Sequence, residues 1–217
     1  MSALKVINLG LPKSGTTTLG EALKRAGLKV ADWKIHQGQS EEPEIIHDFV
    51  GRLMYRAYYG CGDPLALMHE FDAFTEISMV ARGFNEWPQT DYGLISAIQR
   101  HHPGAKFLLS ARSPADIVNS MRNWSNMGKR PLPMYAVPGL PEGYGKKPEE
   151  LERWVAAHSA FCRKIFEGSD VFLEYDPADP EAPKKIGEFL GIELPWWGRA
   201  NVKQERVADK LAEGKKP

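Results

Sequence analysis

The sequence predicts an α/β fold, a three-layer sandwich with helices on both faces of a central parallel sheet. Three observations predict it. Short apolar runs alternate with amphipathic helical segments from Leu4 to Leu190, the pattern of repeated β-α units. The first of these runs, Leu4–Leu9, passes through a glycine-rich turn directly into a helix. Hydrophobic residues make up 42% of the 217 residues, enough for a sizeable core in one domain.

Taken in order, Leu4–Leu9 is mostly apolar, as expected of a strand buried on both faces. The following helix, Gly15–Ala26, places Leu19, Ala22, Leu23 and Ala26 on one face and stops at Gly27. Leu28–Trp33 is the second strand. Pro43–Tyr59 reads as one amphipathic helix, because Ile45, Ile46, Phe49, Val50 and Leu53 recur at helical spacing. Phe71–Ile77 is the third strand, Thr90–Arg100 a helix, and Lys106–Ala111 a clear strand. Pro114–Met127 is helical, with Ser113 as N-cap and proline in the first turn. Residues 128–147 are rich in Pro and Gly and carry Met134, Tyr135 and Tyr144, which marks a lid or acceptor-binding loop. Helix Pro148–Phe166, strand Val171–Tyr175 and helix Pro183–Leu190 complete the fold, and a charged tail begins at Lys203.

Charge excludes some partners. The 28 basic and 28 acidic residues balance, so no global field draws the chain to nucleic acid, and any anion site must be built locally. Cys61 and Cys162 match no metal-binding spacing and read as reduced, buried and inert, which fits a cytoplasmic location. The first residues lack the basic and apolar regions of a signal peptide, and no apolar run reaches the length of a membrane span. No nucleic-acid partner and no membrane partner is therefore expected. The oligomeric state stays open.

The richest segment is Gly10-Leu11-Pro12-Lys13-Ser14-Gly15-Thr16-Thr17-Thr18. A glycine-rich turn between strand and helix aims backbone N–H groups and a helix N-terminus at an anion. Gly10 and Gly15 allow tight turning, Lys13 adds a mobile charge, and the threonines add hydroxyl donors. The loop departs from the ATPase and GTPase pattern, since Thr16 stands where Gly-Lys-Ser/Thr requires lysine. A second candidate anion site begins at Arg112, where the chain leaves the Lys106–Ala111 strand. Ser120 follows two turns into the next helix. Arginine suits bidentate contact with phosphate.

Pro12-Lys13-Ser14-Gly15-Thr16-Thr17 resembles the 5′-phosphosulfate loop of sulfotransferases that use 3′-phosphoadenosine-5′-phosphosulfate (PAPS). Arg112, Ser113-Pro114 and Ser120 resemble the 3′-phosphate site of the same family. Phe172–Asp176 with Lys185–Gly191 is similar to the strand and helix that close its nucleotide site. The resemblance spans about residues 4–195 and is nearest the small bacterial branch. It implies a P-loop NTPase-like fold, a single sulfotransferase-like domain over residues 1–217, PAPS as co-substrate with no metal expected, and a small-molecule or glycan acceptor as partner. Lys13, Ser14, Gly15, Thr16, Thr17, Thr18, Arg112 and Ser120 are then the cofactor-binding residues, and Lys13 is also catalytic. The family's C-terminal Arg-Lys-Gly segment does not occur here; Arg199, Lys203 and Arg206 are the available substitutes.

Transfer to a hydroxyl requires a general base. Of the six histidines, His36 lies past the productive end of the second strand, while Glu76 closes the third; both remain candidates. Trp33, Trp124 and Tyr135 are candidates for stacking on adenine or acceptor. The enzymatic alternative is an ATP-dependent small-molecule kinase, and the non-enzymatic one a nucleotide-binding module without catalysis.

Overall fold

The computed structural model describes residues 4–81, 84–124, 127, 131–198 and 200. Strand β1 (Val6–Asn8) leads through the glycine loop to helix α1 (Thr16–Arg25), and β2 (Val30–Ala31) follows. Helix α2 (Val50–Cys61) precedes β3 (Ala73–Phe74) and an antiparallel hairpin of β4 (Met79–Ala81) and β5 (Phe84–Glu86). Next come α3 (Tyr92–His101), β6 (Lys106–Ser110), α4 (Pro114–Asn123) and the short α5 (Pro131–Met134). Helix α6 (Pro148–Ile165), strand β7 (Phe172–Tyr175) and helix α7 (Ala182–Leu190) complete the order.

The central sheet has five strands in the order β2-β3-β1-β6-β7, all parallel. The α/β expectation holds. Both faces of the sheet are covered, and the strands show it residue by residue. Ile7, Phe74, Phe107 and Leu109 pack against α2, α3 and α6 through Leu53, Met54, Leu94, Ile98 and Cys162. Val6, Ala73 and Leu108 point the other way, onto Leu19 and Leu23 of α1 and Ile186 and Leu190 of α7. Successive side chains emerge on opposite faces of a strand, so runs apolar at both parities are the signature of a doubly covered sheet.

The structure revises two expectations about elements and one about a cysteine. The helix expected over Pro43–Tyr59 is two pieces: a 3₁₀ turn at Pro43–Ile45 and α2, which begins only at Val50. Between them the backbone breaks at His47, with φ of 67°, and Lys34 bridges Phe49 in antiparallel fashion. The apolar spacing runs through the break because Ile46 and Phe49 still pack inward, on the core and on the Trp33 ring respectively. Cys61 is exposed at the end of α2, whereas Cys162 is buried as expected.

The expected loop over 128–147 also differs. Residues 128–130 lie outside the described ones. From 131 onward the segment is pinned to the body by buried Leu132, Val137 and Leu140, which pack with Met121, Leu151 and Trp154. The Trp154 indole N–H donates to Pro138 O at 2.8 Å. This stretch buttresses α4 and α6. Its Met134 and Tyr144 face solvent.

Candidate functional site

In a parallel sheet ligands bind beyond the carboxyl ends of the strands, where neighbouring crossovers diverge. Here β1 is flanked by β3 and β6. A cavity of about 1350 Å³ opens at that end, and segments after all five strands contribute to it. Pro12 and Lys13 follow β1, Asp32 and Trp33 follow β2, Glu76 and Ser78 follow β3, Arg112 follows β6, and Pro177 and Ala178 follow β7.

The floor is a buried polar network that sequence reading did not single out. Asn8, at the end of β1, donates from Nδ2 to Thr75 O at 2.8 Å. Its Oδ1 accepts from Gly10 N at 3.2 Å and from Ser110 Oγ at 3.4 Å. Ser110 Oγ shares a 2.6 Å hydrogen bond with Ser14 Oγ. The ends of β1, β3 and β6 are thereby tied beneath the loop. Buried polar groups satisfied in this way fix one geometry. From the other side, His158 on α6 donates from Nε2 to Leu9 O at 2.7 Å, and burial lowers its pKa, which keeps it neutral.

This network places the Ser14 side chain beneath the loop. Its side chain is fully buried against Ser110 and its backbone N–H donates to Leu11 O, so it shapes the loop from below and does not line the cavity. Gly10 is required for the same reason. A β-carbon there would lie 2.0 Å from Ser110 Oγ and 2.5 Å from Ser14 Oγ. Gly10→Ala should therefore destabilise the protein by roughly 1–3 kcal/mol, read from denaturant unfolding.

Above the floor, Lys13, Gly15, Thr16, Thr17 and Thr18 do line the cavity. Gly15 caps α1 in the left-handed region, with φ of 115°. Lys13 adopts a left-handed backbone too, at φ 72°, uncommon for a residue with a side chain. Its Nζ sits 3.6 Å from the centroid of the Trp124 ring, so the loop is braced on the residue that follows α4. The first turn of α1 presents backbone N–H groups that lack intrahelical acceptors, at the positive end of the helix dipole. The Thr18 hydroxyl is committed elsewhere: it donates to Gly198 O at 2.9 Å and holds the C-terminal segment.

Arg112 and Ser120 line the same cavity, on the opposite side of β1 from β3. Ser113 caps α4 as expected, its Oγ accepting from Asp116 N at 3.1 Å, which fixes where Arg112 leaves the sheet. The Arg112 side chain forms no hydrogen bond or ion pair with the described residues. A guanidinium left unpaired in a cavity is a waiting anion site.

Facing these cations are two carboxyl groups. Glu76 is partly buried, accepts from Ser78 Oγ at 2.5 Å, and is also hydrogen-bonded by Thr16 at the start of α1. Burial pushes its pKa up to about 7; the Ser78 hydrogen bond opposes the rise and the nearby Asp32 charge adds to it. Burial also raises the Asp32 pKa, against the attraction of Lys24. Asp32 was missed at first because Leu28–Trp33 reads as one strand. Since β2 is only Val30–Ala31, Asp32 emerges at its carboxyl end. His36 lies outside the cavity lining: its ring is exposed, in a T-shaped contact with Trp33, and its backbone N–H donates to Gln39 Oε1 at 2.7 Å. Trp33 and Trp124 line the cavity, while Tyr135 does not. Arg199, Lys203 and Arg206 fall outside the described residues.

This arrangement, with a glycine-rich loop after β1 and an arginine after β6 of a parallel sheet, agrees with comparison to known families. A family model described as a sulfotransferase domain matches residues 5–206. The chain belongs to the sulfotransferase family. The match covers every element described above, so the sulfotransferase carries its loop, its Arg112 segment and its Glu76 strand within one family domain, and it is a transferase enzyme. No curated protein matches the chain significantly. Among the described residues no helix is long and apolar enough to cross a membrane.

Proposed function

We propose that this sulfotransferase moves the sulfuryl group of PAPS to a hydroxyl or amine of a small-molecule acceptor. The observation that carries the reading is that one cavity holds two separate groups suited to anions: Lys13 with the first turn of α1, and Arg112, which pairs with none of the described residues, with Ser120. A nucleotide phosphorylated at both its 3′ and 5′ positions needs two such positions, and the residues present fit it.

PAPS supplies an activated sulfuryl group on the oxygen of its 5′-phosphate. The α1 amides, that of Thr16 among them, with the hydroxyl of Thr17, hold the 5′-phosphate, and Lys13 leaves the Trp124 ring to neutralise charge on the departing bridging oxygen. Arg112 and Ser120 hold the 3′-phosphate and so set the register of the nucleotide. Glu76 takes the acceptor proton as the acceptor oxygen or nitrogen bonds to sulfur and the sulfur–bridging oxygen bond breaks. Its pKa near 7 suits a base working near neutrality. Its hydrogen bond to Thr16 couples the base to the helix that holds the donor. The exposure of His36 outside the cavity favours Glu76 of the two candidates.

The test is a transfer assay with PAPS and a panel of phenols, aliphatic alcohols and amines, following release of 3′-phosphoadenosine-5′-phosphate (PAP). The expected result is acceptor-dependent PAP release without added Mg²⁺. Consumption of Mg-ATP with the same acceptors, and no PAP release, would point to a kinase. Tight PAP binding without transfer to any acceptor would point to a binding module.

A further inference from the structure

The reading above leaves much of the cavity beyond the donor's phosphates, and that remainder has its own character. Its walls include Trp33, Met79, Val80 and Met127, a set with flat and flexible apolar surfaces and no cation. Trp33 is 41% exposed and stacked on Phe49, with the His36 ring at 6.1 Å in a T-shaped contact, so the indole is held in place while part of it lines the cavity. Next to it in sequence, Asp32 also lines the cavity.

At the end of β2 the Asp32 carboxylate has the Trp33 backbone N–H and the Thr75 hydroxyl beside it, which favour its charged form. Among the described residues it forms no ion pair, and Lys24, the cation that acts on it most, is exposed. A partly buried carboxylate without a counter-ion is costly unless a partner arrives. A carboxylate beside an open tryptophan face is how proteins recognise an ammonium group, through charge and cation–π attraction together. The opposite end of the cavity carries the unpaired Arg112, so the two ends differ in sign.

We infer that Asp32 with Trp33 determines acceptor specificity, selecting acceptors that carry an ammonium group on a flat apolar body alongside the hydroxyl that Glu76 deprotonates. This rests on the sulfuryl-transfer reading of the same cavity. The acceptor then lies with its body along Met79 and Val80, its hydroxyl toward Glu76 and its cation toward Asp32. Binding the cation also relieves Asp32's repulsion of the Glu76 charge, so the acceptor itself favours the ionised base.

Three phenols of similar shape test this: tyramine, 4-ethylphenol, which lacks the ammonium, and 3-(4-hydroxyphenyl)propionate, which carries a carboxylate instead. The expected order of kcat/KM is tyramine first by about tenfold or more over 4-ethylphenol, with the propionate last. Asp32→Asn should collapse the tyramine to 4-ethylphenol ratio toward one. Equal use of tyramine and 4-ethylphenol by the wild type, or a ratio unchanged by Asp32→Asn, overturns the assignment. Glu76→Gln separates it from the underlying mechanism. Loss of turnover on all three phenols belongs to the base, whereas the tyramine preference belongs to Asp32. Should none of the three be turned over, calorimetric titration of each into the PAP-loaded protein reads the same preference. Tyramine binding that weakens in Asp32→Asn supports the proposal, and absence of a tyramine preference there overturns it.

Discussion

Arg112→Ala should weaken PAP binding by about 100-fold, the 2–3 kcal/mol expected of a lost bidentate arginine–phosphate contact, and leave 5′-AMP within about threefold of wild type. Two features argue for an effect this large. The guanidinium forms no hydrogen bond or ion pair with the described residues, so its whole donor set is available to a ligand. It also sits where β6 ends, on a backbone fixed by the Ser113 cap of α4, so little ordering is needed when an anion arrives. For the same reasons the substitution should barely change stability. Calorimetric titration of both nucleotides into both proteins gives the coupling between side chain and 3′-phosphate directly. Equal loss for PAP and 5′-AMP would place Arg112 at the 5′ end of the nucleotide instead.

Glu76→Gln should lower kcat by about 10²–10⁴-fold while PAP affinity stays close to wild type, the signature of a lost general base. Wild-type activity should rise with pH through a midpoint near 7, because the carboxyl must be ionised to accept a proton and its pKa is pushed up to about 7. Stability should move the other way. The unfolded chain releases this proton near the usual glutamate value, about 4.3, whereas the folded protein retains it to about 7. Between those values the folded state binds more protons, so stability falls as pH rises and levels off above 7. Glutamine carries no such penalty. The variant should therefore unfold at a higher temperature than wild type at pH 8 and show a smaller difference at pH 4.5. A variant that loses activity and stability together at pH 8 would make Glu76 a structural residue.

How much of this was legible in the sequence follows from the range of the interactions involved. The loop from Gly10 to Thr18 could be read because strand, turn and helix are contiguous and each has a local cause. Arg112 and Ser120 could be read because one strand exit and one helix face place them. The orientation of the Ser14 side chain could not be read, because it is decided by Ser110, distant in sequence on β6. Asp32 was hidden inside a strand whose length depends on pairing with β3, and only two residues pair. The β4–β5 hairpin that walls the cavity has strands of three residues with no alternating pattern, so nothing local announced it. The break at His47 escaped notice because apolar spacing continues through it while a bridge to Lys34 ends the helix. Local chemistry revealed the loop and Arg112 side of the cavity, and tertiary pairing built the Asp32 and hairpin side.

The lysine conformation links the two sides. Lys13 rests on the Trp124 ring, and the reading requires it to move onto the bridging oxygen when the donor binds. The most direct measurement is a crystal structure of the protein with PAP. The account predicts the 5′-phosphate at the first turn of α1 within reach of Lys13, and the 3′-phosphate within hydrogen-bonding distance of Arg112 and Ser120. A nucleotide whose 3′-phosphate lies in solvent, away from Arg112, would contradict it.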